Sequence, residues 1–430
     1  MNSHRAALLA VLVLGVSLLA VIAFTTPWRP LGQLAGAPTP PEPVDFTAAE
    51  LARSAAYHRH IALPGYLSLG LGLLLTLALG LTPLGARLVE TVARPLGGGW
   101  LARLLLGALA LFLVSRLVSL GFGSWAETVR RRYGLSVHSW GGWWSDQAKS
   151  FAISAGLGLL AVAVLYALAR WLPNWWWVPA SLGAALLVVL ASFLYPLVVE
   201  PAFNRFTPMA AGPLRDSLVA MADRDDVPVR EVLVADASRR TTALNAYVSG
   251  FGATRRVVVY DTLLKAGDDQ VRLVAAHELG HAKRNDVLHG TLVGALGAAF
   301  SVVLLALLLT GGPLPRWAGV GGVADPASLA LLLALVALFG QLGGPVQQLV
   351  SRQIEARADV HALELTGDPA TFVRMQRSLA VTNIATLRPH PVEYALFASH
   401  PSTVRRIALA RDWARSRGIP VPPPLVPPAP

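Results

Sequence analysis

Histidines at 277 and 281 and a glutamate at 278, in the run HELGH, bring two imidazoles and a carboxylate into one short segment. The stretch from Val271 is amphipathic at helical period, so His277 and His281 fall one turn apart on one face. Two imidazoles so placed converge on one ion at about 2.0–2.1 Å, while Glu278, rotated about 100° from His277, addresses a water on that ion. Zinc there lowers the pKa of water from about 15.7 to about 7 and polarises a carbonyl, and the carboxylate takes the proton. The spacing points to hydrolysis with one catalytic Zn2+, His277 and His281 as ligands and Glu278 as general base. The bland alternative is a chance HExxH among ordinary histidines. It is disfavoured because the chain has only 10 histidines and because the motif abuts an apolar span, where ionisable groups are functional by default.

Two imidazoles need a third protein ligand. The chain has no cysteine, which removes thiolate sites, disulfides and cysteine nucleophiles together and leaves His, Asp or Glu. The run SRQIEARADVHALELTGDP, from Ser351, holds Glu355 and Asp359 four residues apart and therefore on one helix face. Glu355 as third ligand leaves the fourth position to water, as a catalytic site requires, and Asp359 can then accept the free N–H of a ligand imidazole. Alone, such an acidic pair reads as a solvated helix face. The need for a third ligand reverses that reading.

The elements that must unite these segments are membrane spans. With 54% hydrophobic and 14% charged residues in 430, the chain is too apolar for an ordinary soluble core. Seven stretches have the roughly 20-residue length of a bilayer-crossing helix: 5–24, 64–84, 100–122, 150–172, 177–199, 287–310 and 328–350. AGA at Ala35–Ala37 resembles a signal-cleavage site, but an apolar run of about 19 residues is long for a signal peptide, so the first helix is expected to be retained. Trp140, Trp143, Trp144 and Trp175–Trp177 sit at segment ends, as headgroup-level anchors do.

The net charge of +11 comes from basic residues scattered through short loops, with no basic stripe interleaved with aromatics. That excludes nucleic acid as a partner and fits positive cytoplasmic loops. Arg53, Arg59, Arg130–Arg132 and most C-terminal bases fall on one side, against Arg87, Arg94, Arg170 and Arg316 on the other. A multi-pass protein of the cell membrane is expected, with its catalytic regions and C-terminus cytoplasmic.

The domain organisation expected is five helices with their loops (1–199), a catalytic loop region ending in the HExxH helix (200–286), two further helices (287–350), a C-terminal catalytic segment (351–415) and a Pro-rich tail (416–430). Spans six and seven form a hairpin, so the two polar regions emerge on one face. EVLVA (231–235) and RRVVVY (255–260) read as a small strand pair, and VPPPLVPPAP as an extended, mobile end.

The chain resembles the type I CAAX prenyl proteases, seven-span zinc proteases with bacterial relatives. The likeness runs, in order, through YGLS from Tyr133, Asp146 and Lys149, YPLVVEPAFNRFTPM from Tyr195 and DASRRTTALNAYVSGFGATRRVVVYDTLL from Asp236. It continues into HELGH, EARAD and SHPSTVRRI from Ser399, and covers about two thirds of the chain. The resemblance implies that Asn245, in NAY, hydrogen-bonds the substrate backbone beside a strand on which an extended peptide can add. It also implies that His400 and Arg406 steady the oxyanion of the tetrahedral intermediate. One departure is Asp286, where many members carry a His; His289 stands one turn further on and is expected to be polar lining.

The expected fold is mainly α: a polytopic membrane protein with about seven transmembrane helices around a chamber and a zincin-like catalytic domain with a small β-sheet. Its expected activity is that of a membrane zinc metalloendopeptidase on a peptide or protein substrate, lipid-modified or membrane-associated, in contact with the bilayer. Two alternatives stand beside it. One is a heat-shock-type membrane quality-control protease; the other is a transporter or scaffold with a vestigial metal, which Gly343, Gly344 and Pro345 would suit as a helix break.

Overall fold

The computed structural model describes residues 2–30, 43–250, 252, 255–310 and 312–426. The Ala35–Ala37 motif lies outside the described residues. Seven helices are long and apolar enough to cross a membrane. They are α1 (Ser3–Thr25), α2 (Ala48–Leu81), then, after the short α3 (Pro83–Ala93), α4 (Trp100–Arg132), α5 (Trp140–Trp171) and α6 (Trp177–Leu194), and later α10 and α12. A π-turn at Tyr195–Val199 joins α6 to α7 (Glu200–Phe203).

Packing runs around a closed ring. Helix α6 packs on α5, α5 on α4, α4 on α2, α2 on α12, α12 on α10 and α10 back on α6, with α1 alongside α10. Six helices at interaxial spacings of about 10 Å have axes roughly 10 Å from the ring centre, which leaves an interior between them. The tightest seam is between α2, α3 and α12. Cβ atoms added to Gly80 and Gly85 would meet Ala334 and Ala330 at 2.3 Å, so only glycine permits that approach.

The catalytic region interrupts the helices after α7. In order it contains β1 (Phe206–Pro208), α8 (Pro213–Arg224), β2 (Glu231–Ala235), β3 (Ala246–Ser249), β4 (Arg256–Tyr260) and α9 (Asp268–Lys283). The expected strand pair is present as β2 and β4, adjacent and parallel, each with a further antiparallel neighbour. The sheet order is β1-β2-β4-β3, so β3 is an edge strand.

Helix α9 ends at Arg284, and Asn285 turns the chain in the left-handed region (φ 54°), a conformation asparagine tolerates. Span six, α10 (Asp286–Leu309), starts at once. After α11 (Pro313–Ala318), α12 (Leu329–Thr366) returns as one helix straight through Gly343, Gly344 and Pro345. The expected boundary at 350 therefore falls inside a helix: Glu355 and Asp359 ride on the rigid extension of span seven. The chain closes with α13 (Pro369–Thr382), α14 (Pro391–Phe397) and α15 (Thr403–Ser416).

One apolar core joins sheet and helices here, with Val257 and Val259 from the sheet, Val271, Ala276 and Leu279 from α9, Phe372 from α13, and Ile407 and Trp413 from α15. The tail differs from expectation. Residues up to 426 are extended but pinned: Arg411 donates to the Pro422 and Pro423 carbonyls at 2.9 and 3.1 Å, and Leu425 N–H donates to Asp45 at 3.0 Å. Arg411 and Asp45 form a buried ion pair, so the segment satisfies groups that would otherwise be desolvated without partners. Residues 427–430 lie outside the described residues.

Candidate metal centre

His277 and His281 leave α9 on one face, opposite Glu355 of α12. The two Nε2 atoms are 3.3 Å apart; His277 Nε2 lies 3.1 Å from Glu355 Oε2 and His281 Nε2 lies 3.5 Å from Glu355 Oε1. Bonds of about 2.0–2.1 Å in a tetrahedral site set neighbouring donors roughly 3.3–3.4 Å apart, so the three groups are spaced to hold one metal ion. Burial alone would lower the His277 imidazole, yet hydrogen bonds to Asp359 and Glu355 push it up to about 10. A cage that strongly favours positive charge suits a dication.

Each imidazole of the cluster is oriented by a carboxylate that is itself held by an arginine. His277 Nδ1 meets Asp359 Oδ1 at 3.0 Å, and the fully buried Asp359 takes a fork from Arg406, with Nε to Oδ2 at 2.8 Å and Nη2 to Oδ1. His281 Nδ1 meets Asp286 Oδ2 at 2.9 Å, and Arg357 bonds Asp286 Oδ1. With Nδ1–H donating outward, each Nε2 would keep its lone pair for a metal ion. Asp286 and Arg357 are the members that sequence reasoning missed. Asp286 drew notice only as a departure from the family pattern, and the turn at Asn285 is what carries it back to His281. His289 bonds Thr25 at 2.9 Å and takes no part in the cluster. Asp286→Asn is expected to weaken metal binding about 10–100-fold with the fold retained, read by chelator competition; unchanged affinity would remove Asp286 from this role.

Close approach of α9 and α12 depends on Gly280, where a Cβ would come within 3.1 Å of the His361 ring. His361 is in turn held by Asp225 at 2.9 Å. Glu278 lines a cleft of about 530 Å³ with Asn245, Val274, His400 and Arg406, and accepts a hydrogen bond from the Val248 N–H of β3. Burial raises its pKa, with the His277 and His281 charges opposing the shift.

His400 reaches the cluster from the loop between α14 and α15, its Nε2 3.3 Å from Glu355 Oε1, and its side chain is half exposed to the cleft. That loop is braced by buried Arg352, also missed from sequence, whose Nη1 donates to the Tyr394 and Ala398 carbonyls at 3.0 and 2.7 Å. Arg406 lines the same cleft, but its Nε and Nη2 are committed to Asp359. Of the two groups expected at an oxyanion, His400 is the more exposed to the cleft, with Nδ1 2.8 Å from Ser399 Oγ and Nε2 facing Glu355. Asn245 is exposed in the cleft immediately before β3, and its carbonyl accepts from the Tyr260 N–H at 3.0 Å.

Seven spans and a His-His-Glu cluster beside an edge strand define a polytopic membrane metallopeptidase. Residues 33–205 match the family model described as CAAX prenyl protease N-terminal, five membrane helices, and residues 208–414 match Peptidase family M48. An uncharacterized metalloprotease of Bacillus subtilis, YhfN, is 33% identical over 302 residues, 69% of this chain and 70% of its own length. CAAX prenyl protease 1 of Saccharomyces cerevisiae is 26% identical over 359 residues, 78% of this chain and 76% of the relative. The crystal structure of S. mikatae Ste24p shares the fold with a TM-score of 0.74 at 21% identity, covering 94% of this chain and 98% of that one. The chain belongs to peptidase family M48, as a member of its CAAX prenyl protease type, and is a metalloendopeptidase.

Proposed function

We propose that the protein is a zinc endopeptidase that cleaves extended segments of membrane-associated proteins, with its site on the cytoplasmic side. The observation that carries this reading is the near-tetrahedral spacing of His277, His281 and Glu355 beside Glu278 in a cleft bounded by an edge strand. A zinc ion bound by these three ligands would polarise the scissile carbonyl and lower the pKa of water to about 7. Glu278 takes the proton of the attacking water and passes it to the leaving amine. His400 donates to the oxyanion, while Arg406 serves chiefly by fixing Asp359, and through it His277. The substrate backbone lies along β3, and the Asn245 amide bonds to it.

Purified protein should cleave an unstructured fluorogenic peptide, lose that activity to a chelator and regain it with zinc. Absence of chelator-sensitive cleavage would overturn the reading. Relatives named for prenyl proteolysis suggest a lipid-modified substrate. A farnesylated peptide should then be cut faster than its unmodified twin, and equal rates would exclude that preference. Asn245→Ala is expected to reduce kcat/KM by about 10-fold or more without loss of metal, as misalignment of a bound peptide does. Since the chain has no cysteine, Asp223→Cys at an exposed position of α8 reports sidedness: an impermeant maleimide should label it only after the cells are opened.

A further inference from the structure

In the segment leading into the cleft-side edge strand, Thr241 and Thr242 bond the Gly134–Leu135 backbone and Thr262 bonds the Ala243 carbonyl, while at Leu244 one side-chain amide takes both backbone groups. Asn383, which ends α13, accepts the Leu244 N–H on Oδ1 at 2.8 Å and donates from Nδ2 to the Leu244 carbonyl at 3.1 Å. One side chain thereby takes both backbone groups of one residue, as a neighbouring strand would, at the position just before Asn245. Because the Asn245 carbonyl is bound to Tyr260, the backbone there is fixed from both sides while the Asn245 side chain faces the cleft.

Helix termination does not account for Asn383. The left-handed residue after α13 is Ile384 (φ 48°), and an asparagine recruited to end the helix would occupy that position. A β-branched residue at positive φ is strained and persists only where its surroundings enforce it. Ile384 is 2% exposed, packed with Tyr57 of α2, Val129 of α4 and Leu135, and Ser54 of α2 donates to the Ala385 carbonyl at 2.7 Å. Two transmembrane helices therefore clamp the strained turn that aims Asn383 at Leu244.

We infer that Asn383 is a positioning residue for peptide hydrolysis: it sets the register of β3, and so of the Asn245 amide, and the Ile384 turn ties that register to α2 and α4. The inference rests on the hydrolytic reading above. Asn383→Leu removes both bonds at similar volume. It is expected to lower kcat/KM about 10–100-fold, chiefly through KM, with metal content and thermal midpoint unchanged. Amide exchange should rise across residues 242–249 while the HELGH helix stays protected. Asn245→Ala combined with Asn383→Leu should be little worse than Asn245→Ala alone, since both remove one alignment. Asn383→Asp keeps the acceptor, loses the donor, and should fall between wild type and Asn383→Leu. Unchanged exchange at 242–249 overturns the inference, as do additive losses in the double variant or activity lost in step with metal or thermal midpoint. A wild type without chelator-sensitive cleavage would instead strike the hydrolytic reading, and the exchange measurement still decides the role of Asn383 in the strand.

Discussion

Glu278→Gln is expected to keep the bound metal and to lower peptide cleavage by about 10²–10⁴-fold, the range that general-base catalysis supplies. Glutamine matches the carboxylate in shape, and its amide oxygen can still accept from the Val248 N–H, so the edge strand loses nothing. Neither imidazole of the cluster bonds Glu278: His277 is oriented by Asp359 and His281 by Asp286. What the substitution removes is basicity. Burial holds the Glu278 carboxyl above its ordinary value, moving it toward the pH at which a general base is most effective. The decisive measurements are metal content per chain and single-turnover cleavage. Cleavage near the wild-type rate with metal still bound would eliminate Glu278 as the base.

How much of this site could be read from sequence depended on how local its geometry is. The two histidines were legible because helical period alone places residues four apart on one face. Glu355 and Asp359 followed by elimination, since a chain without cysteine must find a third ligand elsewhere. Asp286 and Arg357 were not legible: Asp286 faces His281 only because Asn285 adopts a left-handed turn between α9 and α10, and Arg357 meets it only once α12 has folded back. The strand pair was visible as β-branched runs, but β3 as the free edge was not, because strand order is a long-range property. In the same way Gly343, Gly344 and Pro345 look like a helix break, yet α12 runs through them as one continuous helix. The docked tail shows the converse: its composition correctly denied it helix, while its order comes from Asp45, more than 300 residues away.

Glu355→Ala is expected to remove the metal and the activity together. Glu355 is the α12 member of the His-His-Glu cluster, and two imidazoles on α9 leave a divalent ion half coordinated. The loss in affinity should exceed the roughly 10–100-fold expected for Asp286→Asn, which only loosens a ligand already in place. Added zinc should therefore restore Asp286→Asn but not Glu355→Ala. A second readout follows from topology, since the ion would tie α9 to α12. Ligand that binds only the folded state adds about 2.7 kcal/mol at 100 times its dissociation constant. Wild type should gain thermal stability on zinc addition, and Glu355→Ala should gain almost none. His400, whose Nε2 lies 3.3 Å from the same carboxylate, gives the control: His400→Ala should keep the zinc-dependent stabilisation while losing activity. If Glu355→Ala were still stabilised by zinc as the wild type is, the third ligand would have to be sought elsewhere, and the arrangement of α9 against α12 would need another cause.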